Sequence, residues 1–231
     1  MATGEGKGAR PGVFITFEGG EGAGKTTHLN FLSESLRKLG YDVVCLREPG
    51  GTSIGEALRK VVLDGRNTEM SSETELLIYE AARAQLVCEV IIPALERGKV
   101  VICDRFFDST VAYQAYGRGL PLDFVETANE FACKGVHPHR TILLTTGDED
   151  DAVLAGLQRA TKHGNADRIR VVPSNGPKPD TARAIFRELA DVFGWGDVDE
   201  RFPQEFFDAI LVKNTDRKAV VNQGGLGAAG E

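Results

Sequence analysis

Two hydrophobic patterns alternate along the chain. Short runs that are apolar at every position mark strands buried on both faces, and stretches with apolar residues every three or four positions mark amphipathic helices. "VFITF" (13–17), "DVVCL" (42–46), "KVVIC" (99–103) and "RTILLT" (140–145) are of the first kind. Leu29, Leu32, Leu36 and Leu39 recur at helical spacing, and Gly40 stops that helix. "IGEALRKVVL" (54–63) predicts a second helix. Residues 72–98 predict a long one, opened by Ser72, closed near Gly98 and kinked or split at Pro93. Further helices are expected over about 106–116, 121–134, 148–163 with an acidic first turn, and 181–193. "VVPSNGPKPD" (171–180) is expected to be a mobile Pro/Gly-rich segment, and "DAILVKN" (208–214) a last strand.

Fully apolar strands separated by helices predict an α/β fold, with a parallel sheet covered on both faces and ligands at the carboxyl ends of the strands. The chain of 231 residues suits one such domain over 12–221, between tails at 1–11 and 222–231 whose polar or glycine-rich composition predicts disorder. The formal net charge of -7 argues against a broad nucleic-acid groove, though a local arginine cluster can still bind a small anion. Cys45, Cys88, Cys103 and Cys133 form no C-x-x-C pair and read as buried, reduced thiols. The N-terminus has no apolar segment of a signal peptide, and no apolar run approaches the roughly 20 residues that span a bilayer. The expectation is a cytoplasmic protein with no membrane or nucleic-acid partner.

The strongest chemical signal is "FEGGEGAGKTTHL", which fits G-x-x-x-x-G-K-[ST] from Gly19 to Thr26 between a strand and a helix. Gly19, Gly20, Glu21, Gly22, Ala23 and Gly24 form the loop, and Lys25, Thr26 and Thr27 open the helix. Amides of Gly22, Gly24 and Lys25 and the helix N-terminus suit phosphates; Lys25 would reach the β- and γ-phosphates of a nucleotide, and the Thr26 hydroxyl would ligate Mg²⁺. Asp104, ending "VVICD", is placed to hold Mg²⁺ through water, and Arg105 beside it suits phosphate oxygens. For the acceptor, "REPGGT" (47–52) turns at a strand's end, with Arg47 expected to face the cleft. Tyr79 and Arg83 lie four apart on one helix face, and Thr110, Tyr113 and Gln114 lie at i, i+3 and i+4 on another.

"FEGGEGAGKTT", "REPGGT", "AARAQ" and "DRFFDSTVAYQAYGRG", in that order, resemble the thymidylate kinases over residues 12–120. The resemblance implies the P-loop NTPase fold and transfer of the γ-phosphate of ATP to dTMP, within a homodimer. It implies that Tyr79 stacks on thymine, Arg83 bonds its carbonyl, Thr110 and Gln114 lie at the pyrimidine edge, and Tyr113 crowds the sugar 2′ position. Arg47 and Arg105 would surround the acceptor phosphate, and Glu21 would lie near the acceptor's 3′-hydroxyl and phosphate.

With Gly22 in the loop, the chain resembles the bacterial subgroup whose catalytic arginine comes from a lid, here about 156–172. Arg159 and Arg168 are the expected lid cations, with Lys162 as a substitute; Thr161 and His163 stand in the stretch where the subgroup is rich in arginine, and Arg170 where an acid is usual. "VVPSNGPKPD" and "GWGDVDERFPQ" (194–204) depart from the family pattern. Two rival readings remain at this level. One is a deoxynucleoside kinase, against which "CDRFF" and Glu21 weigh. The other is a nucleotide-binding module without catalysis, against which Lys25, Thr26, Asp104 and Arg105 weigh.

Overall fold

The computed structural model describes residues 11–147, 156–157 and 167–211. Its centre is a five-stranded parallel sheet in the order β2-β3-β1-β4-β5. The strands are β1 (Val13–Gly19), β2 (Val43–Arg47), β3 (Val100–Asp104), β4 (Arg140–Thr145) and β5 (Ile169–Pro173). β1 lies between β3 and β4 and is buried along its whole length. Alternate side chains of such a strand serve opposite faces. Ile15 and Phe17 join Leu29, Leu32 and Leu36 of α1 (Lys25–Lys38) on one face, while Phe14 packs with Val101, Cys103, Leu86 and Ile91 on the other.

α2 (Ser53–Val62) is capped by Thr52, whose Oγ1 accepts the Gly55 amide at 2.9 Å. α3 (Ser72–Leu86) is capped by Ser71, one residue before the expected opening. The predicted long helix neither stops nor splits at Pro93. It passes through a π turn, Val87–Ile91, where the Ile92 amide reaches back to Val87, and resumes as α4 (Ile92–Glu96) with the proline in its first turn. α5 (Phe107–Thr110) likewise continues into a π-helix, Val111–Gly117, before α6 (Leu122–Cys133).

Three expectations in the last third are corrected. Residues 171–173 are not a mobile segment but belong to β5, an edge strand whose proline stands at its end, where no ladder bond is lost. The lid therefore cannot run to 172. The predicted strand at 208–214 is instead the end of a helix, Gln204–Asp208, and a 3₁₀ turn, Ala209–Leu211; residues 212–214 lie outside the described residues. A short apolar run does not distinguish strand from helix. The segment 194–204, atypical by sequence, closes the core. Trp195 stacks on Phe193 and Phe186, with ring centroids 4.6 and 5.1 Å away, and Phe202 and Phe207 pack edge-on around Phe186. Among the cysteines, Cys88 is exposed, contrary to expectation, and all four are unpaired. Residues 1–10 and 222–231 of the two tails and most of the expected helix 148–163 lie outside the described residues.

Candidate active site

The glycine loop joins β1 to α1, at the carboxyl end of the central strand. Gly19 (φ +138°) passes so close to β4 that a Cβ would stand 2.4 Å from the Leu144 carbonyl oxygen. Gly24 takes a left-handed conformation (φ 85°) immediately before the helix, which a residue with a side chain adopts only at a cost. Lys25 curls back, its Nζ donating to the Gly19 and Gly20 carbonyls at 2.8 and 2.7 Å. Burial, then Arg105, lowers the Lys25 pKa, while Asp104, Glu18 and Glu21 pull it up. Glu21 and Thr26 are exposed at the loop, Gly22 is exposed beside them, and Ala23 is buried beneath.

Asp104 ends β3, level with Phe17 of β1 and Arg47 of β2. Among the described residues no three His, Cys, Asp or Glu side chains cluster as a metal cage. Asp104 and the exposed Thr26 offer one carboxylate and one hydroxyl, oxygen donors of the kind that suit Mg²⁺, which takes one or two protein oxygens and completes its shell with water and substrate phosphate.

Next to Asp104, Arg105 adopts a left-handed backbone (φ 71°), unusual for a non-glycine residue. Its amide donates to the Phe17 carbonyl at 2.9 Å, its Nη1 donates to Ser109 Oγ at 3.1 Å, and its guanidinium lies 5.3 Å from the centre of the Tyr113 ring. Beneath it is a residue the motifs did not single out. Glu18 is fully buried at the end of β1; its Oε1 accepts the Phe106 amide at 2.9 Å and its Oε2 accepts the Ser109 hydroxyl at 2.6 Å. Burial, reinforced by Asp108, pushes its pKa up to about 7. The signal was present in the sequence: a carboxylate inside the apolar run "VFITFEG" must find donors.

Tyr79, Arg83, Arg105, Thr110, Tyr113 and Gln114 all line one cavity of about 250 Å³, as expected of an acceptor site. Arg47 does not. Its Nη2 pairs with Glu56 at 3.0 Å on α2, and the third arginine of the cavity wall is Arg59, held through Nη1 on the Pro49 carbonyl at 2.7 Å. Burial and the nearby Arg47 charge lower the Arg59 pKa. Nothing in the run "EALRKVV" sets Arg59 apart from Lys60.

Arg83 is 2% exposed and every one of its N–H groups is engaged. Nε and Nη2 donate to Glu48 Oε2 at 2.9 and 2.7 Å, Nη2 also to Thr110 Oγ1 at 2.9 Å, and Nη1 to Glu80 Oε1 and Asn129 Oδ1 at 2.6 and 2.7 Å. One guanidinium thus serves two buried carboxyls. Burial pushes Glu48 up to about 7 against the pull of Arg83, and raises Glu80 as well. Gln114 is tethered to α3, its Nε2 donating to Glu75 Oε1 at 2.7 Å.

The lid residues are split. Arg159 and Lys162 lie outside the described residues. Arg168 is described, and it lies in an ion pair with Asp108, with a further bond to Thr141 Oγ1 and its guanidinium 4.9 Å from the centre of the Phe107 ring. Arg170 pairs with Glu188 at 3.1 Å.

The family model for thymidylate kinase matches residues 17–170. A thymidylate kinase of Pelobacter propionicus is 48% identical over 169 residues, covering 73% of this chain and 72% of its own. One from Bacillus licheniformis is 42% identical over 195 residues, covering 84% and 85%. The crystal structure of thymidylate kinase from Ehrlichia chaffeensis superposes with a TM-score of 0.69 at 34% identity, over 78% of this chain and 99% of that one.

Proposed function

The chain belongs to the thymidylate kinase family, P-loop enzymes that carry the γ-phosphate of ATP to dTMP and release dTDP and ADP, and we propose the following division of that reaction among its residues. The glycine loop and Lys25 hold the donor phosphates. Thr26 and Asp104 would hold Mg²⁺, which when bound neutralises charge on the donor phosphates. In the cavity, Tyr79 stacks on the base, Thr110 and Gln114 read its edge, and Tyr113 stands against the 2′ position; Arg83 lines the same edge, and bonding a base carbonyl requires one of its N–H groups to leave Glu48, Glu80, Asn129 or Thr110. Arg105 and Arg59 take the acceptor phosphate, with Glu21 near the sugar 3′-hydroxyl. Arg47, paired with Glu56, supports that wall from behind. Arg159 is the lid cation in this scheme, with Lys162 as a substitute; Arg168 would serve only by leaving its ion pair with Asp108.

An oxygen of the dTMP phosphate attacks the γ-phosphorus, and the bond to the β-phosphate oxygen breaks. That oxygen is already an anion near neutral pH, so the side chains supply positioning and charge rather than a strong base. The observation that carries this reading is the meeting of two sets of groups. Lys25, held on the Gly19 and Gly20 carbonyls, and Asp104 with Arg105 stand at the ends of the adjacent strands β1 and β3, and Arg105 also lines the wall of the cavity that holds Tyr79, Arg83 and Tyr113. In the same scheme the enzyme is cytoplasmic and a homodimer; among the described residues no helix is long and apolar enough to cross a membrane.

The test is phosphoryl transfer from ATP, followed by ADP release, across dTMP, dUMP, the other deoxynucleoside monophosphates and thymidine. dTMP is expected to have the highest kcat/KM, and thymidine no turnover. Preference for another acceptor would overturn the acceptor assignment.

A further inference from the structure

We propose that Glu18 is a positioning residue for phosphoryl transfer, acting through Ser109 to fix the turn and the aim of Arg105. The proposal rests on the reading of Arg105 as a cation of the acceptor phosphate.

Three hydrogen bonds form a directed chain. Ser109 has one hydroxyl proton, and it goes to Glu18 Oε2 at 2.6 Å. The serine oxygen is left with lone pairs, and Arg105 Nη1 donates to it at 3.1 Å. The carboxylate thereby sets the polarity of the serine, and the serine presents an acceptor to the guanidinium. The other carboxylate oxygen holds the Phe106 amide at 2.9 Å.

The same geometry clamps a strained backbone. Arg105 has φ 71°, and the amides on either side of its α-carbon are both fastened to β1. Its own amide is on the Phe17 carbonyl and the next is on the Glu18 side chain. A left-handed non-glycine residue persists only where its surroundings over-determine it. The two residues that follow Glu18, Gly19 and Gly20, supply the carbonyls that hold Lys25. The end of β1 thus carries both the donor's cation and the acceptor's.

A merely structural role would be to satisfy the Phe106 amide, and a neutral acceptor does that at lower cost. A buried carboxyl at the centre of a sheet is expensive. Gln at 18 would keep the amide bond, but its Nε2 would donate to Ser109, turn the hydroxyl around and compete with Arg105.

The experiment compares the full-length wild type with Glu18→Gln, Ser109→Ala, Ser109→Thr and the double variant Glu18→Gln/Ser109→Ala, reading kcat and KM for dTMP together with the affinity for a non-hydrolysable ATP analogue. Misplacing Arg105 is expected to lower kcat roughly ten- to a hundredfold in Ser109→Ala and in Glu18→Gln. Affinity for the analogue stays within about twofold in Ser109→Ala, which leaves Lys25 and the glycine loop untouched. The double variant is no worse than the worse single, since the two act as one unit. Ser109→Thr, which keeps the hydroxyl, recovers most of the turnover. Ser109→Ala with wild-type kcat and KM, or single effects that multiply in the double variant, would overturn the proposal. If Glu18→Gln does not fold, the Ser109→Ala and Ser109→Thr pair decides alone. A wild type that does not phosphorylate dTMP fails the functional reading itself, whereas inert substitutions in an active enzyme fail only the relay.

Discussion

Arg168 grips Asp108 with both ends of its guanidinium, Nη1 on Oδ2 and Nη2 on Oδ1, each at 2.7 Å. The pair ties the residue before β5 to the short helix that follows Arg105. Thr141 Oγ1 joins it, and a 2.7 Å contact links that hydroxyl to Thr16 Oγ1 in β1. Asp108 is 2% exposed, so removing the arginine strands a buried charge. Arg168→Ala is expected to lower unfolding free energy by about 3–5 kcal/mol in urea titrations, and Asp108→Asn in the same chain to restore part of it. An additive double variant would contradict this.

Arg59 lines the acceptor cavity and Arg47 is spent on Glu56. A charged hydrogen bond to an anion contributes about 1.5–3 kcal/mol, so Arg59→Ala is expected to raise KM for dTMP by roughly tenfold or more. Arg47→Ala, which loses a half-exposed surface pair, is expected to change it by about twofold at most. Steady-state kinetics with saturating ATP separates the two, and the reverse ranking would return Arg47 to the cleft.

Tyr113 lines the cavity beside Arg105, whose guanidinium lies 5.3 Å from the centre of its ring. Tyr113→Ala is expected to raise the ratio of kcat/KM for uridine monophosphate over dUMP by about tenfold, the scale of a single steric contact. Equal discrimination in the variant would remove the 2′ role.

Glu48 and Glu80 share one guanidinium, and both pKa values are raised. For Glu48 the native value is about 7, against 4.5 for an ordinary glutamate. Between those values the native state binds more protons than the unfolded chain, so stability falls as pH rises from 4.5 to about 7. In Glu48→Gln that part of the slope is expected to vanish. Chemical denaturation at pH steps across the window tests this, and an unchanged slope would assign it elsewhere.

Phe124 and Phe131 are seven apart on α6 and are 54% and 84% exposed. In a homodimer packed through this helix, Phe131→Asp would bury a charge at the interface. Sedimentation is expected to show a monomer for that variant and a dimer for wild type.

Most of the sheet and the cavity were legible because each rests on a local rule. The four apolar runs are strands β1 to β4, and the paired spacings of Tyr79 with Arg83 and of Thr110 with Gln114 do face one space. What escaped depends on long-range partners. Ile169–Pro173 reads as loop because an edge strand with a proline has no hydrophobic period, yet pairing with β4 makes it a strand. Glu56 takes Arg47 from the cleft across nine residues, and Asp108 takes Arg168 across sixty. No motif records such competition for a charge. Glu18 was visible as an oddity, but its purpose appears only when Ser109, 91 residues away, is brought beneath it.

The π winding of Val111–Gly117 bears on how this chain can be aligned with others. Such a turn holds one residue more than an α-helical turn would, and it interrupts the 3.6-residue repeat. A relative with a plain helix there needs a one-residue gap to keep Tyr113 and Gln114 opposite their counterparts. Without that gap, every pairing from the π-helix to the next loop is one position out, and a role assigned by column would land on the wrong side chain. A single-codon deletion here would likewise leave the composition almost intact while turning the cavity wall away from the cleft.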